Sequence, residues 1–166
     1  MEYKIANVKV SIKTSPLSLD IVLLKCQEKN LYCKNYKNFL VVKSLFTFII
    51  FKKNKNNENH INITKIPNLD LVSNALSTIK ELTNCEVISH TIDNIIASTS
   101  SEKPLNLQHI SSVFPCVKYN NEKFPGLFVK FKLGTAILFH SGKIVLVGVK
   151  KEEDIQCLIQ SIFARI

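Results

Sequence analysis

The stretch KPLNLQHISS at residues 103–112 decides the fold, because it repeats SPLSLDIVLL at residues 15–24 with an offset of 88. Both stretches carry the pattern Pro-Leu-x-Leu. Further matches follow in the same order along the chain: ANVKVS (6–11) with DNIIAS (93–98), which pairs Asn7 with Asn94, Phe39 with Phe124, TFIIF (47–51) with TAILF (135–139), and DLVSNALSTI (70–79) with DIQCLIQSIF (154–163). Ordered similarity of this kind indicates a duplicated unit. We therefore predict one domain over residues 1–166, with repeat 1 at about 1–84 and repeat 2 at about 85–166.

Each half is predicted to contain the same series of elements: a strand, a helix after the Pro-Leu pair, three strands and a closing helix. In the first half these are predicted at Lys4–Lys13, Leu17–Lys29, Phe39–Lys43, Leu45–Lys53, His60–Ile66 and Leu69–Thr83. In the second half they are predicted at Glu86–Ser98, Leu105–Val113, Gly126–Lys132, Thr135–His140, Lys143–Val149 and Glu152–Ala164. Apolar residues recur at helical spacing in both closing helices, which predicts one buried stripe on each.

The predicted strands are apolar on both faces. In residues 143–149, Ile144 and Leu146 share one face, while Val145 and Val147 share the other. A sheet covered by helices on one side normally alternates apolar with polar residues. Four helices can cover only one side of so many strands, so the second face is predicted to bind a partner or a ligand. The alternative is that each half is a separate sandwich with both faces covered.

The formal net charge is +9, and repeat 1 carries most of it: residues 1–83 have a net charge of +7 and residues 84–166 a net charge of +2. An excess of lysine favours a polyanionic partner such as nucleic acid. A genome rich in A·T, which encodes Lys, Asn and Ile freely, would give the same composition. Such a genome suggests a parasite or a large DNA virus as the source.

Several classes of protein are excluded by composition and spacing. The apolar run Leu40–Phe51 contains Lys43 and is too short to span a bilayer, so no membrane partner is expected. Met1–Val10 has no secretory or presequence character. The five cysteines lack ligand spacing and predict reduced, mostly buried thiols in an intracellular protein, with no metal and no cofactor. We predict that the chain is not an enzyme, since no catalytic arrangement is visible beyond the remote alternative of a Cys116 nucleophile.

The residues then resemble a known family, the TATA-box-binding proteins. YNNEKFPGLFVKF (119–131) followed by ILFHSGKIVLVGVK (137–150) is similar to that family's second-repeat signature, and DNIIAS resembles its opening strand. In the first half the resemblance is carried by Asn7, Phe39, TFIIF and NITKI (62–66). The family's Ser-Gly-Lys turn is replaced there by the loop at residues 52–59.

The resemblance implies an α+β fold: a saddle in which two pseudo-symmetric repeats form one curved antiparallel sheet with helices on the convex face. Its concave face would bind the minor groove of DNA. The resemblance assigns Phe39, Phe51, Phe124 and Phe139 as side chains that intercalate between base steps. It assigns these residues to the remaining DNA contacts: Asn7, Ser11, Thr47, Ile49, Thr64, Asn94, Ile96, Ser98, Lys130, Thr135, Ile137, Lys143, Val145 and Val147.

Some positions depart from the family. Lys9 replaces a small apolar residue in the central strand, His60 stands where a lysine is expected, and Val147 replaces a threonine. These departures predict relaxed selectivity for a strict TATA sequence.

The function implied is that of a general transcription initiation factor. It would bind and bend A·T-rich promoter DNA in the minor groove and nucleate assembly of the preinitiation complex. Implied partners are a transcription factor IIB-like protein contacting Tyr119 and Glu122, other initiation factors and the RNA polymerase machinery. The implied location is the nucleus, or a viral factory or virion for a cytoplasmic DNA virus. The alternative is a subunit or adaptor with the same fold whose concave face holds a protein partner.

Overall fold

The computed structural model describes residues 2–52 and 59–166. Repeat 1 comprises β1 (Lys4–Thr14), α1 (Leu19–Glu28), β2 (Tyr32–Asn35), β3 (Phe39–Lys43), β4 (Thr47–Phe51), β5 (Asn59–Ile66) and α2 (Val72–Thr83). Repeat 2 comprises β6 (Val87–Ser100), α3 (Leu107–Val113), β7 (Val117–Lys118), β8 (Gly126–Phe131), β9 (Gly134–Phe139), β10 (Lys143–Val149) and α4 (Glu152–Phe163). The order of elements is the same in both repeats, which confirms the predicted duplication.

The two short strands β2 and β7 were not predicted from the sequence. In β2 the side chains are mostly exposed, and β7 has only two residues, so neither carries an apolar alternation. The predicted starts of α1, α2 and α3 were two or three residues early, whereas α4 begins at Glu152 as predicted. At α1 the residue Ser18 is still extended, and at α3 the Asn106 side chain caps the helix by accepting from the backbone N–H of His109 at 3.1 Å.

The predicted strand Leu45–Lys53 is shorter in the structure. Leu45 and Phe46 form the β3–β4 turn, in which the backbone N–H of Ser44 donates to the carbonyl of Phe46. Lys53, with most of the loop discussed above at residues 52–59, lies outside the described residues.

Within each repeat the strands form an antiparallel sheet. The order is β2-β3-β4-β5-β1 in repeat 1, and β6-β10-β9-β8-β7 in repeat 2. The β3–β4 register pairs Phe39 with Phe51, and the β8–β9 register pairs Gly126 with Phe139. These registers decide how the aromatic side chains of each repeat meet.

The core of each repeat lies on the helix-covered face of its sheet. Residues of this face are almost fully buried, among them Val10, Ile50 and Ile63 in repeat 1 and Ala97, Leu138 and Leu146 in repeat 2. The predicted stripe of α4 is buried as well, at Ile155, Leu158, Ile159 and Ile162. Burying one such aliphatic side chain stabilises the fold by about 1.5–3 kcal/mol. The apolar stripes of the closing helices are therefore what hold the sheets to the helices.

The opposite face, which we call the open face, carries no helix in either repeat as described. Its side chains are half-buried or exposed where their strand neighbours are buried, as the alternation along β4 and β10 shows. The alternative prediction, in which each half is a separate sandwich with both faces covered, is therefore wrong. It leaves the second apolar face open, as the one-sided helix count predicted.

The chain divides into two compact units, Asn7–Asp93 and a second unit made of Met1–Ala6 with Asn94–Ile166. The boundary therefore falls inside β1 and β6, close to the predicted repeat boundary at residue 84. The single-domain organisation over residues 1–166 stays a prediction.

All five cysteines are free thiols, and the expectation that they are mostly buried is wrong. Cys26 and Cys85 are buried, Cys33 is half-buried, and Cys116 and Cys157 are exposed. Among the described residues no group of histidine, cysteine and carboxylate side chains could hold a metal. No described helix has the length and apolar character needed to cross a membrane.

Candidate nucleic-acid interface

The open faces carry the strand residues that the sequence analysis selected. In repeat 1 the open face consists of Asn7, Lys9, Ser11, Phe39, Val41, Lys43, Thr47, Ile49, Phe51, Asn62 and Thr64. In repeat 2 it consists of Asn94, Ile96, Ser98, Phe128, Lys130, Thr135, Ile137, Phe139, Lys143, Val145 and Val147. Three of the strand residues added by the structure, Lys9, Lys43 and Asn62, are polar. Their contact with DNA, like that of the selected residues, stays a prediction.

Asn7 and Asn94 hold equivalent positions and are fixed in the same way. The Oδ1 atom of Asn7 accepts from the backbone N–H of Lys65 at 2.8 Å, and the Oδ1 atom of Asn94 accepts from the N–H of Gly148 at 2.6 Å. Both donors lie at a register shift of the sheet, where the backbone has a positive φ of 62° at Lys65 and 78° at Gly148. Because the carbonyl end is bonded to the bulge, the Nδ2 group of each amide is left to donate to another partner.

In repeat 2 three aromatic rings meet next to a glycine. The Phe124 ring lies 5.9 Å from the Phe139 ring and 5.2 Å from the Phe128 ring, measured between centroids. A Cβ atom at Gly126 would lie 2.6 Å from Phe124 and 2.9 Å from Ile137. The missing side chain at Gly126 is therefore what lets the Phe124 ring lie against Phe139. Phe124 remains 39% exposed, so its ring is accessible on the open face.

The pair in repeat 1 is built differently. Phe39 lies directly opposite Phe51, with ring centroids 6.2 Å apart. By register Phe39 is therefore the counterpart of Gly126. The match of Phe39 with Phe124 made from the sequence is wrong by two residues. The place of a third ring is taken by Tyr36, which stacks on Phe39 at 4.7 Å and is 40% exposed. Tyr36 was not predicted, because matching the aromatic residues of the two halves by type gives no information on strand register.

Lysines mark the ends of the open faces. Lys130 lies opposite Thr135 across the β8–β9 hairpin, and Lys43 lies opposite Thr47 across β3–β4. Lys43 is thus the repeat 1 counterpart of the selected Lys130, and its place immediately before a hairpin was the sequence signal. Lys143 is exposed at the start of β10. His60 is the counterpart of Lys143, since Ser11 pairs with Asn62 as Ser98 pairs with Val145.

Lys9, which departs from the family pattern, belongs to a polar group on the open face of the unit Asn7–Asp93. Its Nζ atom lies 3.2 Å from the carboxylate of Asp93. The hydroxyl of Ser11 donates toward the same carboxylate and lies 3.0 Å from Oδ1 of Asn62. We call Lys9, Ser11, Asn62 and Asp93 the polar quartet. Ser11, selected as a DNA contact, is therefore already hydrogen-bonded within the protein.

Tyr119 and Glu122 lie on the segment before Phe124. The carbonyl of Asn120 accepts from the backbone N–H groups of Lys123 and Phe124 at 3.1 and 3.0 Å, which closes a turn with Glu122 exposed on it. Tyr119 is half-buried. The turn fixes Phe124 from its backbone side while leaving Glu122 accessible to a partner.

The fold and the open faces define a class of protein: an α+β chain of two repeats whose sheets carry matched amides, exposed ring pairs and lysines on one face. Residues 89–166 match the family model described as transcription factor TFIID, or TATA-binding protein. TATA-box-binding proteins of Thermococcus celer and Methanothrix thermoacetophila are each 40% identical to this chain, over 67 and 70 residues. These matches cover 39% and 41% of this chain, and only 35% and 38% of the relatives' own length.

The solved structure of Methanococcus jannaschii TBP superposes with a TM-score of 0.81 and 25% identity, covering 99% of this chain and 98% of that one. By sequence the second repeat is similar to the TATA-box-binding proteins, and by fold the similarity to that solved structure extends over the whole chain. The α+β fold of two pseudo-symmetric repeats is thereby confirmed.

Proposed function

We propose that this protein is a general transcription initiation factor that binds A·T-rich promoter DNA in the minor groove through its open faces and bends it. The proposal is supported by the similarity of residues 89–166 to the TATA-binding protein family, which is described as a transcription factor and not as an enzyme. Binding would place the protein where promoter DNA is, in the nucleus or in the compartment of a DNA virus. Tyr119 and Glu122 would receive a transcription factor IIB-like protein, and other initiation factors and RNA polymerase would follow.

The observation that carries the proposal is the fixed orientation of the two amides. The floor of the minor groove at A·T pairs offers only acceptors, adenine N3 and thymine O2. Asn7 and Asn94 each commit Oδ1 to a backbone N–H and keep their donors for such acceptors. Half-buried Ile49, Ile137 and Val145 add flat apolar surface, which fits a groove floor without a guanine amino group.

The ring pairs support bending. Apolar side chains inserted between base steps unstack them and kink the duplex away from the minor groove. Phe124 and Phe139 form one exposed pair, and Phe39 and Phe51 form the other. One ring of each pair is accessible, since Phe51 and Phe124 are 37% and 39% exposed.

The test is a mobility-shift and energy-transfer bending assay on an A·T-rich duplex. The double variant Phe124→Ala with Phe139→Ala should lose the bend and at least about tenfold in affinity, equivalent to 1.4 kcal/mol. Asn94→Asp keeps the acceptor for Gly148 N–H but replaces the donor by a carboxylate oxygen. It should keep the fold and also lose at least about tenfold in affinity.

Leu133→Ala is the matched control, because Leu133 is an exposed apolar residue of the β8–β9 turn and not of the open face. It should bind and bend DNA as the unaltered protein does. Unchanged bending by the double phenylalanine variant would refute intercalation. Absence of binding to any duplex would favour the alternative, in which the open face holds a protein partner.

A further inference from the structure

The polar quartet makes the two repeats chemically unlike at the same place on the open face. In repeat 2 the counterparts of Lys9 and Asn62 are Ile96 and Val145. The residue before the matched asparagine is Ala6 in repeat 1 and Asp93 in repeat 2. The repeat 2 face is therefore apolar where the unit Asn7–Asp93 carries a cation, a carboxylate and an amide.

The quartet is accessible to a ligand. The side chains of Lys9 and Asp93 are 38% and 30% exposed, and they pair with each other at 3.2 Å. The Ser11 hydroxyl donates toward the Asp93 carboxylate and lies 3.0 Å from Oδ1 of Asn62. The arrangement therefore presents oxygen acceptors beside an ammonium donor, in a fixed geometry.

This chemistry does not suit a groove floor of A·T pairs. A carboxylate facing adenine N3 and thymine O2 meets only acceptors, and it loses its water without gaining a hydrogen bond. A G·C pair adds the guanine N2 amino donor between acceptors. The Asp93 carboxylate or the Asn62 oxygen can accept from that amino group, while the Lys9 ammonium donates to a neighbouring acceptor.

We propose that the polar quartet recognises the minor-groove amino group of guanine, so that the preferred DNA site is asymmetric: one half tolerates or prefers G·C and the other requires A·T. This inference rests on the proposed function, since it assigns a base preference to the same open face.

The experiment isolates the amino group by comparing inosine·C with G·C at each position of an A·T-rich duplex. The two pairs differ in the minor groove by the 2-amino group alone. In one half of the site we expect G·C to bind at least as tightly as inosine·C. In the other half we expect G·C to bind about tenfold more weakly, the cost of about one unfavourable base pair.

The variant Lys9→Ile with Asn62→Val and Asp93→Ala replaces each of these three residues by the one at its counterpart position in the other repeat. It should impose the tenfold penalty on both halves, with thermal melting checking that it is folded. Asp93→Asn is the milder second variant, because it keeps a polar partner for Ser11 and removes the carboxylate. It should shrink the difference between the halves, and the ratio of the two affinities cancels any general change in binding.

The outcomes separate this inference from the function on which it rests. Equal penalties in both halves, with tight binding to the A·T duplex, would overturn the inference and leave the function standing. Persistence of the tolerant half in both variants would also overturn it. Failure to bind any duplex would overturn the proposed function, and the inference with it.

Discussion

At the scale of single residues, the two repeats place different residues at the one bulge position where the backbone has a positive φ. The bulge that donates to each of the two matched amides has a positive φ, at Gly148 in repeat 2 and at Lys65 in repeat 1. A residue with a Cβ atom in the left-handed region costs about 1 kcal/mol relative to glycine. Lys65 therefore carries strain that Gly148 avoids.

Lys65→Gly should raise the free energy of unfolding by about 0.5–1 kcal/mol, because the strain is relieved while the hydrogen bond to Asn7 is kept. Gly148→Ala is the matched opposite change. A Cβ atom there would have open space, its nearest neighbour being 4.0 Å away, so its cost of about 1 kcal/mol comes from φ alone. Urea denaturation measures both, and a loss of stability in Lys65→Gly would contradict the strain.

Some residues of the open faces could be predicted from the sequence and others could not. Asn7 and Asn94 were found because their neighbours repeat, and the structure gives them matching bonds. Phe39 was matched to the wrong residue because similarity of type outweighed a two-residue difference in register. The ion pair that explains Lys9 joins residues 84 positions apart and leaves no local pattern to read.

At the scale of elements, apolar periodicity predicted the long strands and helices, whose one-sided burial produces it. The edge strands β2 and β7 were not predicted, because an edge strand pairs on one side only and needs little apolar surface. The burial of the cysteines was not predicted either, since for Cys26 and Cys157 it depends on which face of α1 or α4 the thiol occupies. Cys26 lies on the buried face of α1 and Cys157 on the exposed face of α4.

This difference between helices predicts an order of thiol reactivity. Burial first, then the neighbouring Cys33, raises the pKa of Cys26 to about 12, so its thiol stays protonated at neutral pH. Iodoacetamide at pH 8 should therefore modify exposed Cys116 and Cys157 first, and Cys26 only when α1 opens or the chain unfolds. Peptide mass spectrometry over time measures the order, and early modification of Cys26 would contradict the packing of α1.

The same shift sets a direction for stability at high pH. In the unfolded chain the pKa of Cys26 is near the ordinary thiol value of 9.0, whereas in the folded chain the pKa is raised to about 12. Between these two pKa values the folded state keeps the Cys26 thiol protonated, while the unfolded chain has lost that proton. The free energy of unfolding should therefore fall as pH rises from about 9 toward 12. Cys26→Ala would confound this with a cavity, so Cys26→Ser is the better comparison.

At the scale of the whole molecule, the net charge of +9 overstates the charge available to DNA. Lys29 pairs with Glu81 at 2.5 Å, Lys80 with Glu86 at 2.6 Å, and Lys9 with Asp93 on the open face. Lys43, Lys130 and Lys143 are the exposed lysines of the open faces. Affinity should therefore come from shape and ring insertion, with phosphate contacts adding a moderate share.

The salt dependence of binding tests this division. Each neutralised phosphate contributes about −0.9 to the slope of log affinity against log salt concentration, so three or four contacts predict a slope of about −3 to −4. Lys130→Ala should make the slope shallower by about 1. Lys80→Ala is the matched control, because Lys80 lies on α2 in an ion pair, and it should leave the slope unchanged. A slope near −8 would mean that the net charge as a whole drives binding, and a flat response would favour a protein partner on the open face.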